Sequence, residues 1–170
     1  MKNLFKCVAF VAFISIVSCK KEKDRIYDFS LRVNGTVVLL HQATCRLGPD
    51  TLNPAHTDFR LTAATFDSSK ALTIDIHKND ISLPAGQYNS PGSGYALLVN
   101  YYENIPSGIK NYIIADAPGK GTSQYTVNIT EITASYIKGT ITGNYLTNKF
   151  SGNNETMEVA EGEFLALRVY

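Results

Sequence analysis

Three glutamates crowd one segment near the end of the chain, Glu158, Glu161 and Glu163, and paired carboxylates are the equipment of glycoside hydrolysis. In an extended strand Glu161 and Glu163 would share one face about 7 Å apart, two residue repeats along it. Acids so placed also guard an exposed strand against pairing with another chain, and that is the reading preferred here. The histidines, His41, His56 and His77, are scattered, with no His-x-x-x-His or Cys-x-x-Cys spacing of a zinc site. Asp75 and His77 alternate along one run and belong on a solvated strand face. Gly119-Lys120-Gly121-Thr122 lacks the upstream glycine of a phosphate loop, and Pro91-Gly92-Ser93-Gly94 lacks the spacing of a nucleophile elbow. No catalytic, cofactor-binding or metal-binding residue is therefore assigned, no cofactor is expected, and the chain does not read as an enzyme.

Tyrosine is the more informative residue, with 10 in the chain. Tyr101 and Tyr102 are adjacent, so in a strand they point to opposite faces, and they form a candidate ligand surface together with Tyr88, Tyr95 and Tyr112. A tyrosine ring offers apolar area with a polar tip and suits sugar stacking; the same rings also suit a core and its rims.

At the N-terminus Lys2 and Lys6 precede an apolar run over residues 7–17, the layout of a signal peptide. The run is too short for a spanning helix, which needs about 20 apolar residues. Ile16-Val17-Ser18-Cys19 resembles a bacterial lipobox, in which a small residue precedes the cysteine that accepts a diacylglycerol before cleavage. Residues 1–18 are accordingly expected to be a leader and Cys19 the lipidated first residue, a membrane anchor of two or three acyl chains. Residues 19–25 add Lys20, Lys21, Glu22, Lys23, Asp24 and Arg25, a solvated charged tether. No aspartate follows Cys19, which points to the outer membrane of a bacterial cell envelope, on its periplasmic or its outward side.

Loss of Lys2 and Lys6 takes 16 cationic side chains to 14 against 15 acidic ones, a net charge of −1. No basic face or arginine run survives that would suit nucleic acid. Residues 26–170 are long enough for one domain with one core. Of 3 cysteines, Cys7 leaves with the leader and Cys19 takes lipid, so Cys45 has no partner and is expected as a small buried hydrophobe.

From Ile26 onward the signal is period-two alternation in short runs rich in Val, Ile, Thr, Tyr and Phe, punctuated by Gly, Pro, Asn, Asp and Ser. That pattern predicts an all-β, antiparallel fold of about nine or ten strands with little helix, either a β-sandwich or a closed lipocalin-like barrel. Leu72, Ile74, Ile76, Val127, Ile129 and Ile141 are expected to face the core. Residues 95–103 and 111–115 are apolar at both parities and are expected as central strands. Turns are expected at Asn34-Gly35, 67–70, 118–121 and 150–154, and residues 47–57 as the longest irregular stretch.

The segments Leu31-Arg32-Val33-Asn34-Gly35, Leu83-Pro84-Ala85-Gly86-Gln87-Tyr88, Ile137 to Tyr145 and Ala160-Glu161-Gly162-Glu163-Phe164 resemble landmarks of a group of small Bacteroidota outer-membrane lipoproteins. The resemblance lacks one landmark, a tryptophan soon after the Asn-Gly. It implies a β-sandwich-like domain and no particular activity. Asp50-Thr51-Leu52 similarly resembles the Asp-Ser/Thr-apolar acceptor for O-glycosylation of exported proteins in that phylum, which marks Thr51 as a candidate. The expected role is a noncatalytic binding or surface-interaction module for a glycan, a peptide or an envelope protein. The alternative is a small-ligand carrier with a barrel cavity.

Overall fold

The computed structural model describes residues 26–115, 117, 119–149 and 154–170. The assigned leader, Cys19 and the tether lie outside the described residues, as do Pro118 and most of the 150–154 turn. Eleven strands follow one another: β1 (Phe29–Val33), β2 (Thr36–Pro49), β3 (Thr57–Ala64), β4 (Lys70–Lys78), β5 (Gly86–Ser90), β6 (Tyr95–Ile105), β7 (Gly108–Ile113), β8 (Tyr125–Ile132), β9 (Tyr136–Gly143), β10 (Tyr145–Asn148) and β11 (Glu155–Val169). No described residue is helical. The count exceeds the expected ten because the run from Tyr136 to Asn148 is broken at Asn144 into β9 and β10, both of which pair with β11.

All strands belong to one sheet of order β1-β2-β3-β4-β6-β7-β10-β11-β9-β8-β5, antiparallel throughout except for a short parallel contact between β11 and β2. The fold is all-β and sandwich-like. β11 organises it. One edge of β11 pairs with β10 and β9, and the other takes β1 and then, beyond the start of β1, residues 44–46 of β2. Pairing therefore runs from β11 through β1 and round to β10, and the sheet folds over one core.

Local sequence explains the corners. Asn34 and Gly35 take φ of 47° and 76°, the two positive values a two-residue primed hairpin turn requires. The Asn34 side chain accepts from Glu158 N at 3.0 Å, while its own amide donates to Glu158 O at 2.9 Å, which ties this turn to β11. In β2 the inward residues are Leu40, Ala43 and Cys45, a slip of one position. Gln42, at φ 52°, is the extra residue of a β-bulge that lets one strand serve β1 first and β3 afterwards.

The expected core residues Leu72, Ile74, Ile76, Val127, Ile129 and Ile141 are all buried, and one cluster joins them to Phe29, Leu61, Tyr101 and Phe164. Two glycines fit this packing by lacking a side chain. A Cβ on Gly139 would lie 2.4 Å from Asn128 O and 2.5 Å from the Phe164 ring, and a Cβ on Gly143 would lie 2.1 Å from the Tyr125 ring. Aromatic rings thus occupy the places that side chains at those positions would fill.

One expectation holds in position and two are corrected. β6 is central in the order, between β4 and β7, yet its outward Ala96 and Leu98 face solvent; an apolar run does not distinguish a covered face from an uncovered one. β7 reaches β10 through the single pair Thr147↔Ile113 and is close to an edge. Residues 47–49 extend β2, because Leu47, Gly48 and Pro49 pair with Phe59, Asp58 and Thr57, so the irregular segment there shrinks to 50–56 and the β7–β8 connection at 114–124 is longer.

Candidate functional site

Four adjacent strands, β2, β3, β4 and β6, present one outer face whose residues register in rows. At one end Gly48, Asp58, His77 and Ala96 align, followed by Arg46, Arg60, Asp75 and Leu98. Thr44, Thr62, Thr73 and Asn100 form the middle row. His41, Ala64, Ala71 and Tyr102 form the last. The two ends offer different chemistry.

The charged end is internally matched. Arg60 Nε lies 2.5 Å from Asp75 Oδ1, and the exposed guanidinium covers a carboxylate that is itself buried. Hydrogen bonding to Asp75, with the attraction of its charge, raises the Arg60 pKa. His77 Nδ1 lies 2.6 Å from Asp58 Oδ1. Arg46 is the cross-strand neighbour of Arg60, a like-charge contact that the Asp75 carboxylate offsets. Above these side chains the 50–56 loop brings Thr51 and Leu52 to the rim of a depression of about 350 Å³. Thr51 is exposed there, and Asp50 Oδ1 accepts from Leu52 N at 2.7 Å, an Asx-type turn that presents it.

The other end is a trough of about 350 Å³ floored by Ala64, Ala71, Thr62 and Thr73. Tyr102 lines it on the β6 side and the His41–Phe66 pair on the β2 side. The two rings stack with centroids 3.8 Å apart and planes 13° apart, and His41 Nδ1 lies 3.2 Å from Asp28 Oδ1. Phe66 stands exposed on the β3–β4 turn, just past the end of β3. That turn is firmly bonded. Donation from the Thr65 hydroxyl, with the Ser69 amide and hydroxyl, holds the Asp67 carboxyl down to about 2.

Of the expected ligand surface, Tyr102 is in place and Tyr101 is corrected: Tyr101 is fully buried in the core, inward like Leu97 and Val99, and burial raises its pKa. Its hydroxyl has no hydrogen-bond partner. Tyr88 and Tyr112 are buried too, whereas Tyr95 packs edge-on against Tyr88 with centroids 5.2 Å apart. Phe66 and His41 were not expected at a site. Phe66 lies on the turn beyond the end of β3, outside the strand's alternation, and His41 is distant from it in sequence, so no local signal finds the pair.

The remaining chemistry is dispersed. Glu161 pairs with Arg32 at 2.9 Å on the exposed face of β11 and β1. His56 lies 3.1 Å from the Asn53 amide nitrogen. Among the described residues no three His, Cys, Asp or Glu side chains converge as metal ligands would. Cys45 is buried, with Sγ 3.8 Å from Ala166 O, and burial pushes its thiol up to about 11. No protein-family model, curated protein or solved structure matches the chain.

Proposed function

We propose that the protein is an envelope lipoprotein, held on a bacterial outer membrane through lipid on Cys19, whose domain is a noncatalytic binding module presenting the outer face of β2, β3, β4 and β6. The observation that carries the module reading is the filling of the core: Tyr101, Tyr112, Tyr125, Phe29 and Phe59 are all fully buried within it, where a small-ligand carrier would keep an interior cavity. The Tyr102 trough supports a partner with an apolar surface and polar edges, such as a glycan or a peptide. The anchor reading rests on the order of apolar run, small residue and cysteine over residues 7–19.

Cys19→Ser tests the anchor: unprocessed precursor is expected, and equal retention of variant and wild type on membranes washed in high salt refutes it. Panels of oligosaccharides and peptides test the module. Loss of a wild-type hit in Tyr102→Ala supports the reading, and hits that survive Tyr102→Ala place binding elsewhere. Exposed Thr51 is the proposed O-glycosylation site, and an identical polypeptide mass for wild type and Thr51→Ala, after allowing for the substitution and the lipid, removes it.

A further inference from the structure

Around Phe66 the trough adjoins two further depressions. One, of about 330 Å³, is lined chiefly by apolar atoms of Ile26, Ala43, Leu167 and Phe66. The other runs along the first half of β2 past Val37 and Leu39. That half of β2 pairs with β1 on one side, while β3 joins it only from His41 onward. Phe66 is 78% exposed, Ile26 73% and Val37 59%. Phe66 lines both depressions, and these exposed apolar residues gather at one corner with Asp28, Asp67 and Lys70 at its margins; exposed apolar patches mark surfaces that meet a protein or a membrane.

The chain itself indicates which. Ile26, the first described residue, lies in this corner. Seven residue steps separate it from Cys19, a reach of at most about 25 Å even when fully extended. The intervening segment holds Lys20, Lys21, Lys23 and Arg25 against Glu22 and Asp24, a slight cationic excess that suits anionic headgroups. Ile26 lies beside Thr44, level with the middle row of the face, and the charged Asp58 row lies four residues further along β3, about 13 Å at the strand rise.

We propose that the Ile26–Phe66–Val37 corner docks on the lipid surface that holds the anchor, turning the charged end of the face and the Thr51 loop away from the bilayer. The inference rests on the Cys19 anchor. Two or three acyl chains hold a protein on the membrane without fixing how its domain faces; an apolar corner at the root of the tether supplies that orientation.

The chain has no tryptophan, so a single introduced indole is a clean reporter. Full-length Phe66→Trp and Ile81→Trp would be expressed, extracted from membranes and reconstituted into phosphatidylethanolamine–phosphatidylglycerol vesicles containing acyl-brominated lipid, and intact mass would be read on the same samples. Ile81 is exposed in the β4–β5 loop, at the charged end. The expected result is a blue-shifted Phe66→Trp emission quenched several-fold more than that of Ile81→Trp. Val37→Trp repeats the measurement from β2 should the Phe66 variant fold poorly. Equal quenching at the two ends, with lipid present on Cys19, overturns docking and leaves the anchor standing. A mass without lipid overturns both.

Discussion

The two ends of the β2–β3–β4–β6 face are built on the same strands, yet one satisfies itself and the other does not. At the charged end Arg60 covers Asp75, His77 meets Asp58, and the 50–56 loop forms the rim. At the apolar end His41 stacks on Phe66 and meets Asp28, while Phe66, Val37 and Ile26 keep most of their surface exposed. A charge can be answered by a neighbour one strand away, whereas apolar area is answered only by more apolar area. The difference leaves the charged end to the protein's own architecture and the apolar end as the surface proposed to meet the lipid.

The comparison depends first on the register of β4, which sends Ile74 to the core and Thr73 to the outer face. Ile74→Ala is expected to cost about 2–5 kcal/mol by leaving a cavity, and Thr73→Ala less than about 0.5 kcal/mol. Chemical denaturation reads both, and similar losses would break the assignment of faces. The adjacent tyrosines repeat the test with opposite sign. Tyr101→Phe removes a buried hydroxyl that lacks a partner and should raise stability by about 1 kcal/mol, while Tyr102→Phe at the trough should leave it unchanged.

At the two ends themselves, Arg60→Ala exposes a carboxylate that the native fold keeps covered and should cost about 1 kcal/mol, discounted for the guanidinium's own exposure. Phe66→Ala should cost less than about 0.5 kcal/mol and act on membrane contact instead. A larger stability loss from Phe66→Ala would mean that the apolar end serves the fold. The effect confined to the narrowest conditions, alkaline pH, is at Cys45. Its native thiol ionises only near 11 against the ordinary 9.0, so the unfolded chain gives up its proton first and stability falls as pH rises from 9 towards 11, with a constant contribution below 9. A thiol reagent at pH 8 should label Cys45 only after unfolding, and rapid labelling of native protein would show that the β2–β11 seam opens.

Much of this was legible in the sequence. Period-two alternation named Leu72, Ile74, Ile76, Val127, Ile129 and Ile141 as core residues, and Asn34-Gly35 announced its turn. The Gln42 bulge was not legible, because one inserted residue in a long apolar strand looks like continued alternation at the other parity. The pairings of β11 with β1 and β2 are long-range and leave no local trace. Tyr102 lines the outer trough, while the adjacent Tyr101, alike in sequence, takes the opposite face into the core. The His41–Phe66 stack joins two residues far apart in sequence and becomes visible only once β2 and the β3–β4 turn are laid side by side.

The proposed anchor underlies the orientation proposed for the two ends, and intact-mass measurement of protein extracted from its native membrane tests it most directly. The account predicts a polypeptide that begins at Cys19, lacks residues 1–18 and carries a diacylglycerol adduct with N-acylation. A full-length chain, or a chain cleaved near Ser18 with an unmodified Cys19 thiol, would contradict it.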